Sequence, residues 1–376
     1  MSRTVTASVL HGKRDLRAEL RTIPAPGPDE LQIAVRATGI CGSDQHYYNH
    51  FANGDILVRE PLALGHESSG VVEAVGANYA SQFQTGDRVA IEVGVACDTC
   101  RLCKAGRYNI CKDMRFRSSA KSFPHFQGTL QGVVNHPAKW CYRLPETVSL
   151  DEAALLEPLS VAMHAVRRAR LQPGCHALVI GAGAVGLLTA AMLRVQKAAK
   201  ITLADIEGRR VEFGTQNGFA DAGVTVPRTR PASSDTADKL AHAQETAKLL
   251  VGGESSPLYD VVFECTGVEP CIVASIYATA PGGAVMLVGM GTPNVTLPLS
   301  AAALREVDIL GVFRYANTYQ HGLEILKDRA ASGLPDISQL ATHHVKGIDR
   351  VVDAFTLAGK PVDDEDNLVI KVIIET

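Results

Sequence analysis

Short apolar runs broken by glycine and proline fill the first part of the chain. Between Leu31 and Gly76, β-branched segments such as Gln32–Arg36 and Gly70–Gly76 alternate with turns, and Gly86–Glu92 continues the pattern. Such alternation predicts antiparallel β-structure with irregular connections. Near Pro158 the texture changes: Val161–Arg170 has a helical spacing, and apolar strands then alternate with helical segments, as βαβ units require. The predicted strands are Ala177–Ile180, Lys200–Ala204, Tyr259–Glu264, Ala284–Val288 and Val307–Val312. A polar stretch from Pro227 to Ser256 starts as a loop and leads into a helix at Asp238–Val251. The closing apolar run Leu368–Ile374 predicts a strand returning to the first domain. The expected class is α/β, with residues 1–159 and 303–376 forming one β-rich domain and 160–302 an inserted doubly wound domain.

The 376 residues are enough for two domains with full cores. A 46% hydrophobic and 20% charged composition is that of an ordinary globular protein. With 37 basic and 40 acidic residues the net charge is −3, so no global basic field exists to hold nucleic acid or an anionic membrane. The charged N-terminus lacks the apolar core of a secretory signal, which predicts a cytoplasmic protein. Ala177–Leu193 is uncharged but short for a membrane span and interrupted by glycines, so it reads as a buried strand running into a buried helix.

Three constellations carry chemistry. Gly181-Ala-Gly183-Ala-Val185-Gly186 follows a predicted strand and opens a helix at Leu187–Val195. In that context the first glycine makes the turn, the second admits a pyrophosphate, and the third lets helix and strand pack closely. Asp205, at the end of the next strand, is placed to accept hydrogen bonds from the adenosine ribose, which favours NAD; Arg209 and Arg210 nearby keep NADP open. Cys97-x2-Cys100-x2-Cys103-x7-Cys111 is the spacing of a closed four-thiolate zinc site, with a redox pair or an iron–sulfur centre as alternatives. The third set is dispersed: Cys41, His66-Glu67 and Glu157 together offer sulfur, nitrogen and oxygen donors suited to a zinc ion with an open position.

Taken together, Gly39-Ile-Cys-Gly-Ser-Asp44, Gly65-His-Glu67, the cysteine lobe, Glu157-Pro-Leu-Ser160, the glycine motif, Glu264-Cys-Thr-Gly267 and Arg305–Tyr315 resemble the zinc-dependent medium-chain dehydrogenases, within them the sorbitol (L-iditol) dehydrogenases. The resemblance implies a GroES-like catalytic domain, an inserted Rossmann domain, zinc and NAD as cofactors, a neutral polyol as substrate, and a homotetramer. It implies that Cys41, His66 and Glu67 hold a catalytic zinc with Glu157 beside it, and that Asp44 orients His66. Ser43 falls at the proton-relay position and His46 at that of a relay histidine; Tyr47, Glu157, Arg314 and Tyr315 match polyol-contacting positions. NAD contacts carry over to Val185, Asp205, Arg210, Val288, Gly289, Met290, Val312, Phe313 and Arg314, with Cys265 and Thr266 near the nicotinamide.

The segment Met114–Gly128 looks longer and more basic than in the animal enzymes. Arg117, Lys121 and His125 read as solvated surface, with contact to a longer polyol or a sugar acid such as idonate as the alternative. His136 and the other isolated histidines read as surface or core residues, and Cys141, Cys175 and Cys271 as buried free thiols. Two readings from other classes stay open: a nucleotide-binding member of the fold without catalysis, and a redox-sensing thiol protein.

Overall fold

The structure is a computed structural model that describes residues 2–253 and 256–376, so the last part of the polar stretch before Ser256 lies outside the described residues. The chain divides into two compact units. One comprises Met1–Ser160, Ala316–Asp328 and Ile337–Thr376; the other comprises Val161–Tyr315 and Arg329–Asp336.

The first unit is built on strand Glu30–Gly39, which pairs antiparallel with Glu67–Val75, Val133–Pro137 and the terminal strand Val372–Glu375. Val372 and Ile374 of the terminal strand pack with Leu10, Tyr47, Leu62 and Phe355 in one hydrophobic core of this unit. The expected return of the chain's end is observed, although the strand begins at Val372, four residues later than its apolar run suggests. Register then decides chemistry: Gly39 lies opposite both Glu67 and Ile373, so the two strand ends meet at one point.

The second unit is a six-stranded parallel sheet in the order Ala222–Thr225, Lys200–Asp205, His176–Ile180, Tyr259–Glu264, Thr279–Leu287, Asp308–Gly311. This is a doubly wound sheet whose strand order reverses between His176–Ile180 and Tyr259–Glu264, the place where such sheets bind nucleotides. The expected strands all form, and Tyr259–Glu264 does so with the expected ends. The helix expected at Val161–Arg170 instead runs Leu156–Ala169. It starts before Pro158 because proline is tolerated in a first turn, where its missing N–H has no partner to lose.

Candidate active site and metal centres

The cysteine lobe is formed by local chain alone. Cys100 caps the short helix Arg101–Lys104, and the N–H groups of Cys100 and Cys103 donate to Cys97 Sγ and Cys100 Sγ at 3.4 and 3.5 Å. The sulfur separations are 3.5 Å for Cys97–Cys111 and Cys100–Cys103, 3.9 Å for Cys97–Cys103 and 4.0 Å for Cys100–Cys111. Sulfurs at about 2.3 Å from a tetrahedral zinc stand about 3.8 Å apart, so these thiols fit the ion with no position left over. All nine cysteines are free thiols. Backbone hydrogen bonds pull the Cys97 thiol down to about 6, while burial pushes Cys103 up to about 12. The lobe is anchored through Tyr108, whose hydroxyl donates to Glu92 at 2.6 Å and accepts from Asn317 N at 2.7 Å. Glu92 also accepts from Tyr142 at 2.7 Å, and burial raises its carboxyl to about 7.

The dispersed set converges as well. Donor atoms of Cys41, His66 and Glu67 all lie within 4.8 Å of one another. Cys41 is the N-cap of the helix Gly42–His50, and Asp44 stands at its third position, so one turn presents Cys41, Ser43 and Asp44 together. This helix was not among the predicted elements, although a carboxylate three residues past a cap is a recognisable start signal. The fully buried Asp44 accepts from Ser118 Oγ at 2.5 Å and from Gly65 N at 3.3 Å. Its Oδ1 lies 3.3 Å from His66 Nδ1, in charge contact but without hydrogen-bond alignment. Burial opposes the charge of both groups, yet each outweighs it for the other: Asp44 is held low, and His66, helped by Cys41, is held well above the ordinary imidazole range. Ser43 Oγ is 3.4 Å from His66 Nε2, the ring nitrogen that is not in contact with Asp44.

Glu67 is the first residue of its strand and opposes Gly39, where a side chain would meet the Glu67 carboxylate at 2.3 Å. Glycine at this register position makes the space in which that carboxylate sits. Lys371, missed in the sequence because it lies within an apolar strand-like run, is buried beside it. Its Nζ donates to both Glu67 oxygens at 2.8 and 2.7 Å and to Ile40 O at 3.0 Å. Burial opposes its charge, but Glu67, Cys41 and Glu157 raise its pKa on balance. Glu157 is thus near enough to act electrostatically, is itself buried, and stands outside the three-donor cluster.

Other expected residues fall as follows. His46 is exposed, 6.0 Å from the His50 ring. Tyr47 is buried and its hydroxyl accepts from Ala120 N at 3.2 Å, anchoring the 114–128 segment. That segment corrects an expectation: Arg117 and His125 are buried, not solvated. Arg117 donates to His136 Nδ1 at 3.1 Å and to Gln127 O at 2.8 Å, and its guanidinium lies 4.4 Å over the Phe126 ring. His125 Nε2 accepts from Arg59 N at 2.9 Å. The neighbours Phe116 and Ser118 instead reach His66 and Asp44, so alternate residues of one stretch serve opposite sides. Cys271 is half-buried, unlike Cys141 and Cys175.

In the second unit, the three glycines do what their spacing requires. Gly181 has φ +102°, Gly183 faces open space, and a side chain at Gly186 would strike Gly181 O at 1.7 Å. Val185 is half-buried beside them. Asp205 Oδ2 accepts from Ala182 N at 2.6 Å and Oδ1 from Glu207 N at 2.8 Å, tying the strand end to the glycine turn. Cys265 and Thr266 form a second turn at the switch point, shaped by Glu264, which accepts from Thr266 N at 2.8 Å and Gly267 N at 2.9 Å. Gly289 packs against this turn with Val288 beside it, and Met290 is exposed. Arg210 and the run Val312–Phe313–Arg314 are half-buried, whereas Tyr315 is buried.

Comparison with known proteins agrees with this geometry. The chain matches the alcohol dehydrogenase GroES-like domain over residues 27–146 and the zinc-binding dehydrogenase family over residues 184–328. It is 40% identical to a sorbitol dehydrogenase of Gallus gallus, over 93% of this chain and 92% of that protein. It is 36% identical to an L-idonate 5-dehydrogenase of Vitis vinifera, over 95% of this chain and 89% of that one. Among solved structures, an Escherichia coli oxidoreductase/dehydrogenase of unknown specificity matches with a TM-score of 0.82 at 31% identity, covering 99% of each chain. With its sulfur lobe, its mixed donor site and its nucleotide turn, the chain belongs to the zinc-dependent medium-chain dehydrogenases and has zinc and NAD as cofactors.

Proposed function

We propose that the protein oxidises a secondary hydroxyl of a polyol of the sorbitol, L-iditol or xylitol type to the ketose while reducing NAD+, and catalyses the reverse reduction. The observation that carries this reading is the convergence of Cys41, His66 and Glu67 on one point of the first unit. These three residues hold the catalytic zinc, with Glu157 beside it, and Cys97, Cys100, Cys103 and Cys111 hold a second, structural ion. A zinc ion held by Cys41, His66 and Glu67 would supply Lewis-acid chemistry, which eases loss of the proton from the substrate hydroxyl.

The chain's own residues supply positioning and proton traffic. Ser43, 3.4 Å from His66 Nε2, receives the hydroxyl proton. His46 stands three residues further along the same helix, hence on the same face, and its exposure suits it to pass that proton to water. Buried Glu157 is the less direct exit. Asp44 fixes the His66 ring through charge and is itself fixed by Ser118. In the second unit Gly181, Gly183, Val185 and Gly186 receive the pyrophosphate, and Asp205 with Arg210 the adenosine. Cys265, Thr266, Val288, Gly289, Met290, Val312, Phe313 and Arg314 would hold the nicotinamide, which would supply the hydride acceptor. Tyr47 and Glu157 of the first unit contact the polyol.

A sugar acid such as L-idonate is the second reading, favoured by the 36% identity to the grapevine enzyme. Against it, Arg117 and His125 are engaged within their own unit and do not offer a cation to a carboxylate. Among the described residues no helix is long and apolar enough to cross a membrane. We read the protein as a cytoplasmic homotetramer that does not bind nucleic acid. NAD+ reduction over sorbitol, xylitol, L-iditol, galactitol and L-idonate, with NADP+ as control, tests the function. Turnover of the neutral polyols with NAD+ is expected; turnover of L-idonate alone contradicts the polyol assignment.

A further inference from the structure

Lys371 has no assigned part in the reaction, yet its placement is specific. Its ammonium is buried, and three acceptors meet it: the two oxygens of Glu67 and the carbonyl of Ile40, at 2.7 to 3.0 Å. An ammonium has three donors, so this group is fully satisfied. Ile40 N donates to Val372 O at 3.0 Å, which holds the backbone next to Lys371 beside that next to Cys41. A buried charge is tolerated only when paired and hydrogen-bonded. Lys371 therefore gives Glu67 a complete counterion without any metal, inside a donor set that has to receive a dication.

We propose that Lys371 is a positioning residue that competes with zinc for Glu67: it captures the carboxylate in the metal-free chain and must yield it, at least in part, for the ion to be held. The inference rests on the reading of Glu67 as a zinc ligand. Two physical terms point the same way. The ion pair has to be loosened on loading, and a fixed positive charge beside the incoming dication repels it. Lys371 thus weakens the hold on zinc and speeds its release, while keeping the empty site folded and Glu67 aimed into it. Because Lys371 precedes the terminal strand, the end of the chain sets the metal exchange of a site whose ligands lie near its beginning.

The test uses the zinc-loaded enzyme and Lys371→Met, a variant of similar length without charge. Zinc loss into excess chelator is followed at pH 8 together with the dissociation constant from chelator competition, starting from protein whose cysteine lobe stays loaded. The expected result is release at least about tenfold slower and affinity at least about tenfold tighter in Lys371→Met. The release rate is measured on loaded protein, so it remains readable if the empty variant does not fold. In a Glu67→Gln background the ion pair is gone and only the direct repulsion remains, so the same Lys371 substitution should change either quantity by clearly less than in the parent; a merely structural role would act equally in both backgrounds. Unchanged or faster zinc release in Lys371→Met, or an equal effect in both backgrounds, overturns the inference. If Glu67→Gln alone leaves zinc affinity unaltered, the ligand reading fails instead; if it weakens zinc while Lys371→Met does nothing, only the role of Lys371 fails.

Discussion

Cys97, Cys100, Cys103 and Cys111 come from one short loop, whereas Cys41, His66, Glu67 and Lys371 come from a helix cap, a turn, a strand start and the far end of the chain. In the lobe, every donor is the same kind of atom, and local N–H groups already point at the sulfurs. In the dispersed site the donors differ, and two of the three are held by partners brought from elsewhere: His66 by Asp44, which Ser118 holds in turn, and Glu67 by Lys371. A closed set of like donors suits an ion that only stabilises, and a mixed set with supporting partners suits one that exchanges ligands during a reaction.

The comparison can be broken most decisively at Glu67. Glu67→Ala should reduce activity to background and lower zinc content by one ion per chain, while the lobe keeps its own; normal turnover with full zinc content sinks the ligand assignment. Ser43→Ala should slow turnover by ~10²–10⁴-fold with zinc content unchanged, since it removes a proton carrier and not a ligand. An unaltered rate with chemistry limiting would exclude Ser43 from the relay.

The lobe should answer differently. Cys103→Ser should also cost one zinc per chain, but with a melting temperature lower by on the order of 10 °C and a rate at 25 °C within about threefold of the parent. Loss of activity in proportion to lobe zinc would erase the distinction between the two sites. The smallest effect concerns Glu92, which anchors the lobe through Tyr108. Because burial raises its carboxyl from 4.5 to about 7, the folded chain binds the proton more tightly than the unfolded one. Its contribution to stability therefore falls as pH rises from about 4.5 to about 7 and is level above that, a change of roughly 3 kcal/mol at most. In Glu92→Gln this part of the pH dependence should disappear from denaturant unfolding curves recorded between pH 5 and pH 8; an identical pH profile would contradict it.

What could be read from the sequence follows the same division. Local patterns were legible: the βαβ strands, the glycine turn with Asp205, and the cysteine spacing all express short-range rules, and each appears where its residues predict. Strand and helix ends shifted where neighbours decide, as at Leu156, where a first-turn proline does not stop a helix. The dispersed donors could be grouped only by residue type, since no spacing rule links Cys41 to His66, and their separate roles came from resemblance. Lys371 escaped because a lysine within Leu368–Ile374 reads as the solvent side of a strand; only the pairing of Ile373 with Gly39 and of Gly39 with Glu67 turns it inward. Arg117 was misread for a related reason. Its charge suggested surface, but Phe126, His136 and two carbonyls enclose it.

One time course addresses the whole account: zinc per chain and the rate of NAD+ reduction with sorbitol, recorded together while a chelator removes metal from the purified enzyme. Two zinc ions per chain are expected at the start, with activity falling to zero as the first leaves, the second remaining on a folded protein, and activity returning when zinc is restored. Full activity after the first ion has gone, or a chain that is active while holding no zinc, would contradict it.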